Sequence, residues 1–230
     1  MTEWWTYEPR DLLMFSPDVY YRLFELHNAA VWPAQILALA GGLVGLVLIA
    51  RRASWAGRVA AGVLAVGWAV VAVAYFHARY ASINLAAPWY GWAFTAQAIL
   101  LALSGVALGR LAFTADRTWP QNVGVALLVF ALLLQPLIGL PAGRPWTGVE
   151  LAGLAPDPTV LATLGVVLAA DRVRWELLPI PLLWCAVTGA TLWTMGSPEA
   201  LLMPAAGAAT LLLGIWRSHR DWRDSRGAKC

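Results

Sequence analysis

The sequence predicts an all-α fold: an integral membrane bundle of seven transmembrane helices, N-terminus outside and C-terminus cytoplasmic, preceded by a short interfacial amphipathic helix. Three observations predict it. The chain is too apolar for a soluble domain, seven apolar runs approach the length of a bilayer crossing, and the arginines alternate in density from one connection to the next. Of the 230 residues 60% are hydrophobic and 13% charged, against about 45–50% and about 25% for ordinary soluble domains. No polar stretch of domain size interrupts the apolar runs, so one membrane domain over residues 30–216 is expected, with an outer-face tail and interfacial helix over 1–29 and a basic cytoplasmic tail over 217–230.

A crossing needs about 20 apolar residues. The expected spans are roughly 30–50, 57–76, 89–113, 120–140, 151–170, 177–195 and 199–216. The fifth is the weakest, because Pro156, Asp157 and Pro158 interrupt it, and it reads as a broken or partly re-entrant helix. The charges test the count. With the N-terminus outside, the cytoplasmic segments hold twelve of the sixteen basic residues and the outer segments four: Arg10, Arg22, Arg79 and Arg144. That bias follows the positive-inside rule at every connection.

Helix starts are signalled by a capping side chain before or beside proline at Ser16-Pro17, Asp157-Pro158 and Ser197-Pro198-Glu199. Residues 17–29 carry an apolar stripe, Val19, Tyr20, Leu23, Phe24 and Leu26, opposite Asp18, Arg22 and Glu25, which suits a helix lying on the outer leaflet. Aromatics including Trp4, Trp5, Tyr7, Trp32, Trp89 and Trp146 fall at the same face, as in an anchoring belt. Trp32-Pro33 and Trp119-Pro120 each open a span. A faint inverted repeat and plain interfacial anchoring both account for that.

Polar residues within the spans are candidates for function, because an unpaired amide or carboxylate is costly in hydrocarbon. Gln35, Gln97, Gln135 and Asp157 are expected in the outer half of the bilayer, with His27, Asn28, His77 and Asn84 just above them. Two readings stand for the glutamines: an outward-opening polar vestibule, or interhelical hydrogen bonding alone. Asp157 is likewise either a proton or cation site or a helix N-cap, and the two are compatible. His27 and His77 are the candidate ligands for a haem or metal.

Several classes are excluded. Two cysteines, Cys185 and Cys230, make neither a disulfide framework nor a Cys-based zinc site. The only lysine is Lys229, so no retinal Schiff base can form within a span. The acidic, aromatic N-terminus has no basic n-region of a signal peptide. Arg217, Arg220, Arg223 and Arg226 suit anionic lipid at the cytoplasmic face rather than nucleic acid.

Four strings carry a family resemblance: Phe15 through Pro33, Ile83-Asn84, Ala155 through Thr159, and Leu183-Trp184-Cys185 through Ser197-Pro198-Glu199. Together they resemble an uncharacterised bacterial family of multi-pass inner-membrane proteins, a domain of unknown function. The resemblance implies a prokaryotic inner membrane and brings no activity, substrate, cofactor or site residue. Three functions stay open on the residues: a small transporter or channel-like protein with a site at Gln35, Asn84, Gln97, Gln135 and Asp157; a haem- or metal-binding subunit or membrane-embedded enzyme; and an accessory or assembly subunit. A homo-oligomer is compatible with each.

Overall fold

The structure, a computed structural model, describes residues 15–227. Trp4, Trp5, Tyr7, Arg10, Lys229 and Cys230 lie outside the described residues. Besides a short helical turn at Trp146–Gly148, eight helices occur among the described residues: α1 (Pro17–Val31), α2 (Ala34–Ala50), α3 (Ala56–Ser82), α4 (Ala87–Ala107), α5 (Trp119–Leu137), α6 (Pro156–Ala169), α7 (Trp175–Thr194) and α8 (Leu202–Gly227). No strand accompanies them among the described residues. Helices α3, α4, α5 and α7 are long and apolar enough to cross a membrane. Helices α1 and α2, bent by 92° at Trp32-Pro33, make a fifth crossing if the pair counts as one span. That number fits an integral membrane protein.

Helix α6 is the axis of the fold. Its fourteen residues, Pro156 to Ala169, are all buried, as expected of a helix that is apolar around its whole circumference. Contact with α5 is made backbone to backbone through two glycines. A Cβ on Gly124 would lie 2.5 Å from Ala169 N, and one on Gly165 would lie 2.7 Å from Leu128 N. On the α3 side, Trp68 Nε1 donates to Thr163 Oγ1 at 2.8 Å while Thr163 donates back to Thr159 O in its own helix. At the far end Arg217 of α8 donates to Leu168 O, Ala170 O and Asp171 O at 2.7, 2.9 and 3.0 Å. Those acceptors are the carbonyls a helix C-terminus leaves unpaired, and a cation also complements the helix dipole there.

Several sequence expectations change in the folded chain. Ser16 caps α1 as expected, its Oγ accepting from Val19 N at 3.4 Å. Of the apolar stripe of α1, however, Tyr20, Leu23 and Phe24 pack on protein together with His27, with Phe24 stacked 5.1 Å from Tyr75, while Val19 and Leu26 stay exposed. Asp157 is not an N-cap. Ala155 occupies that position with no side-chain cap, and the Asp157 carboxylate turns away to α7. Ser197-Pro198-Glu199 does not start α8, which opens at Leu202, because Ser197 and Glu199 are held by Tyr21 and Arg144 instead. Helix α4 ends at Ala107, short of the expected 113, where Gly109 takes a φ of +59° that glycine tolerates best. Helix α8 runs past 216 to Gly227, and Arg217 points into the bundle rather than to lipid.

Because Gly165 and Gly124 meet backbone rather than movable side chains, overpacking cannot be relieved by rotamers. Gly165→Val is expected to cost at least the roughly 1–3 kcal/mol of core overpacking and to lower the unfolding midpoint in detergent. Gly41→Ala, whose added Cβ would meet only Val63 at an ordinary 3.4 Å, is expected to leave the midpoint unchanged.

Candidate functional site

Apart from Arg217 at the far end of α6, the most deeply covered charges among the described residues gather where the loop between α5 and α6, the turn before α8 and the start of α6 meet. Arg144 is the hub. Its guanidinium bonds to Glu199, lies 3.6 Å from Glu150 Oε1, and sits 3.7 Å from the centroid of the Tyr21 ring. All three ionic side chains are about 85% covered, with exposures of 15%, 15% and 13% for Arg144, Glu150 and Glu199. Tyr21 adds hydrogen bonds to Ser197 Oγ at 3.1 Å and Glu199 Oε1 at 3.4 Å, which fastens α1 to the turn before α8. Asp157 stands in the first turn of α6 and accepts from Trp184 Nε1 at 2.7 Å and Thr188 Oγ1 at 3.0 Å, both on α7. The Trp184 ring is itself wedged among Phe76, Tyr90 and Phe94 at centroid distances of 5.2–5.4 Å.

Glu150, Asp157, Glu199, Arg144, Gln135 and Tyr20 line one cavity of about 30 Å³. That is room for about two waters or one small ion. Gln135 is 8% exposed, and its Oε1 is buried without a protein hydrogen bond. A donor guest in the cavity would complete it. Three carboxylates share one guanidinium here, so the site favours bound protons or cations over anions. Burial first, and then the neighbouring Asp157 carboxylate, push Glu150 up to about 8 against the opposing pull of Arg144.

Of the residues singled out by sequence, the structure brings Gln135 and Asp157 together and disperses the others. Gln35 Nε2 donates to Asn28 O at 2.7 Å and braces the bend between α1 and α2. Asn28 in turn holds Thr147 O and Val149 O, both at 2.8 Å. Gln97 Nε2 donates to Leu177 O at 3.0 Å. The early end of α4 places Gln97 at the helix midpoint rather than in its outer half, facing the start of α7. Asn84 Oδ1 accepts from Ala86 N and shapes the turn into α4. None of these four lines the carboxylate cavity.

His27 and His77 do not converge. The buried His27 ring has Nε2 at 3.0 Å from Leu154 O and lies edge-on to Tyr75 at 5.5 Å. His77, two residues beyond Tyr75 and so roughly on the opposite side of the helix, packs on Trp92 at 5.4 Å. Among the described residues no group of three or more His, Cys, Asp or Glu side chains could hold a metal ion.

Sequence reasoning missed the hub. Arg144 was counted only as an outer-loop cation, Glu199 as a helix-start residue, and Glu150 fell one position before the fifth apolar run. One signal pointed there: an acid adjoining the broken run that already carried Asp157.

Residues 17–225 match the model of a family described as "Family of unknown function (DUF6064)". The chain belongs to this family. The match covers α1 through most of α8, and therefore every residue of the DUF6064 cavity described above. No curated protein and no solved structure matches the chain.

Two measurements test the site. Arg144→Gln strips the guanidinium from two largely buried carboxylates and is expected to cost about 3–5 kcal/mol of stability. Adding Glu199→Gln should recover part of that loss in the same denaturation assay. Glu150 is raised in the fold, so the stability it contributes is complete below its ordinary value of 4.5 and lost as pH climbs to about 8. Over that window the unfolding midpoint should fall, and Glu150→Gln should flatten that part of the profile.

Proposed function

We propose that this DUF6064 chain is a bacterial inner-membrane protein of seven crossings, N-terminus outside, that binds and passes protons at the Glu150–Asp157 pair, as a small transporter or channel-like protein. The carrying observation is the cavity itself: two carboxylates from adjoining segments, one arginine shared with a third carboxylate, and an unpaired amide oxygen around a space of about 30 Å³. Its size suits a hydrated proton and excludes an organic substrate.

Support for the seven crossings comes from α6 and α8. Fourteen helical residues rise roughly 21 Å, less than a hydrocarbon core of about 30 Å. The rest of the α6 crossing is supplied by residues 151–155, whose irregular backbone is largely covered by protein. Such backbone is tolerated at membrane depth where protein rather than lipid surrounds it. The apolar part of α8 precedes Arg217, and the distribution of arginines supports a cytoplasmic C-terminus. In this arrangement the cavity lies toward the outer face.

In proteoliposomes carrying a trapped pH-sensitive dye, the wild-type protein should conduct protons under an imposed potential. Asp157→Asn and Glu150→Gln should each cut that flux by about tenfold or more, the scale of losing a group worth over 1.4 kcal/mol in the rate-limiting step. Proton flux equal to that of empty liposomes, or unaltered in both variants, sinks the proposal. Sodium flux in place of proton flux would reassign the ion.

A further inference from the structure

A second cavity, unrelated to the carboxylates, runs between α2, α3 and the facing side of α5 and α6. Its volume is about 480 Å³, and every residue lining it is Ala, Gly, Val, Leu or Ile. Along α2 it extends from Ala34 to Ile49, roughly 22 Å at the rise of a helix. The slot is long, apolar and open along one side, the shape that an extended alkyl chain fills.

Glycines on α2 make the slot. Gly42 already receives Leu132, which an added Cβ would meet at 2.5 Å, while Gly41 and Gly45 face Val63 and Ala60 at 3.4 and 3.9 Å. The small-residue face of α2 is thus spent on packing within the chain, which leaves no intact helix-pairing motif for a second copy. The side of the slot is open: Leu37 and Val66, both lining it, are 74% and 64% exposed.

One end of the slot is cationic. Ile49 closes it, and Ile49 O accepts from both the Arg52 backbone N–H and the Arg117 guanidinium. Arg51 adjoins them and is exposed. Among the described residues the ion-pair partner of Arg52 is Asp116, whose side chain is 96% exposed. An ion pair that wet contributes little and yields readily to a competing phosphate.

We infer that this slot is a specific phospholipid site, holding one acyl chain between α2 and α3 with an anionic headgroup at Arg51, Arg52 and Arg117. The inference rests on the membrane location proposed above and is independent of proton passage. A neutral hydrocarbon would fill the slot equally well, but the three guanidinium groups at its end select a negative headgroup.

The test uses the full chain in nanodiscs of equal phosphatidylglycerol and phosphatidylcholine, released into mild detergent and weighed by native mass spectrometry. One retained phosphatidylglycerol per chain is expected. Arg51→Gln with Arg52→Asn, the asparagine chosen because residue 52 has a φ of +55°, should weaken retention about fivefold per charge removed. Val66→Trp, at an exposed lining position, should abolish it. Equal retention of the two lipids, full retention by Val66→Trp, or a dimer holding no lipid would each overturn the inference. Loss of the wild-type protein from the membrane fraction would instead refute the location.

Discussion

The whole architecture depends on one close contact, the glycine-to-backbone crossing of α5 and α6. Without a Cβ at Gly124 and Gly165, the two helices approach until main chain meets main chain. Only then can the other helices close around α6 and bury all fourteen of its residues. An apolar helix without a polar face has no preferred orientation of its own, so its surroundings must supply one. Trp68 reaches Thr163 from α3, Trp184 and Thr188 reach Asp157 from α7, and Arg217 closes the far end from α8. The two ends of α6 thus carry opposite demands, a carboxylate where N–H groups are free and a guanidinium where carbonyls are free.

The burial of α6 is also what creates the site. Asp157 in a lipid-facing helix would be untenable, whereas at the protein-covered start of α6 it has two donors and a cavity. The connecting loop brings Arg144 and Glu150 to the same place, and the turn before α8 brings Glu199. Burial first, and then the neighbouring Asp157 carboxylate, raise Glu150 above the ordinary carboxylate range, because three carboxylates with one guanidinium cannot all stay ionised in a covered space at ordinary cost. The proton binding proposed for this point would be a consequence of packing rather than of any sequence motif. The lipid slot arises from the same source at another seam, since the glycines that let α2 approach α3 and α5 leave an unfilled channel beside them.

Much of the fold was legible. The apolar runs and the prolines located the start of every helix to within about five residues, whereas α3, α4 and α8 end well away from the expected point, and the broken fifth run did prove short. Errors came where a side chain had two uses. Asp157 beside proline has the pattern of a cap, and Ser197-Pro198-Glu199 has the pattern of a helix start, but both bond across the bundle instead. The candidate amides were harder. Depth along a span can be counted from residues, whereas the direction a side chain faces depends on which helix is its neighbour. Gln135 and Asp157 share a cavity, while Gln35 and Gln97 satisfy carbonyls close to their own level elsewhere.

By itself the sequence determined the helical class, the positions of the apolar segments and the excess of arginine at alternate connections, because each follows from local composition and the requirement that buried backbone be paired. Only tertiary structure decided that Arg144, Glu150, Asp157 and Glu199, spread over 56 positions of the chain, share a single covered pocket. Helix contacts set at glycines fix the rotation of each helix about its axis. No periodicity in an all-apolar stretch such as α6 records that angle, and so the meeting of these charges is written in the packing alone.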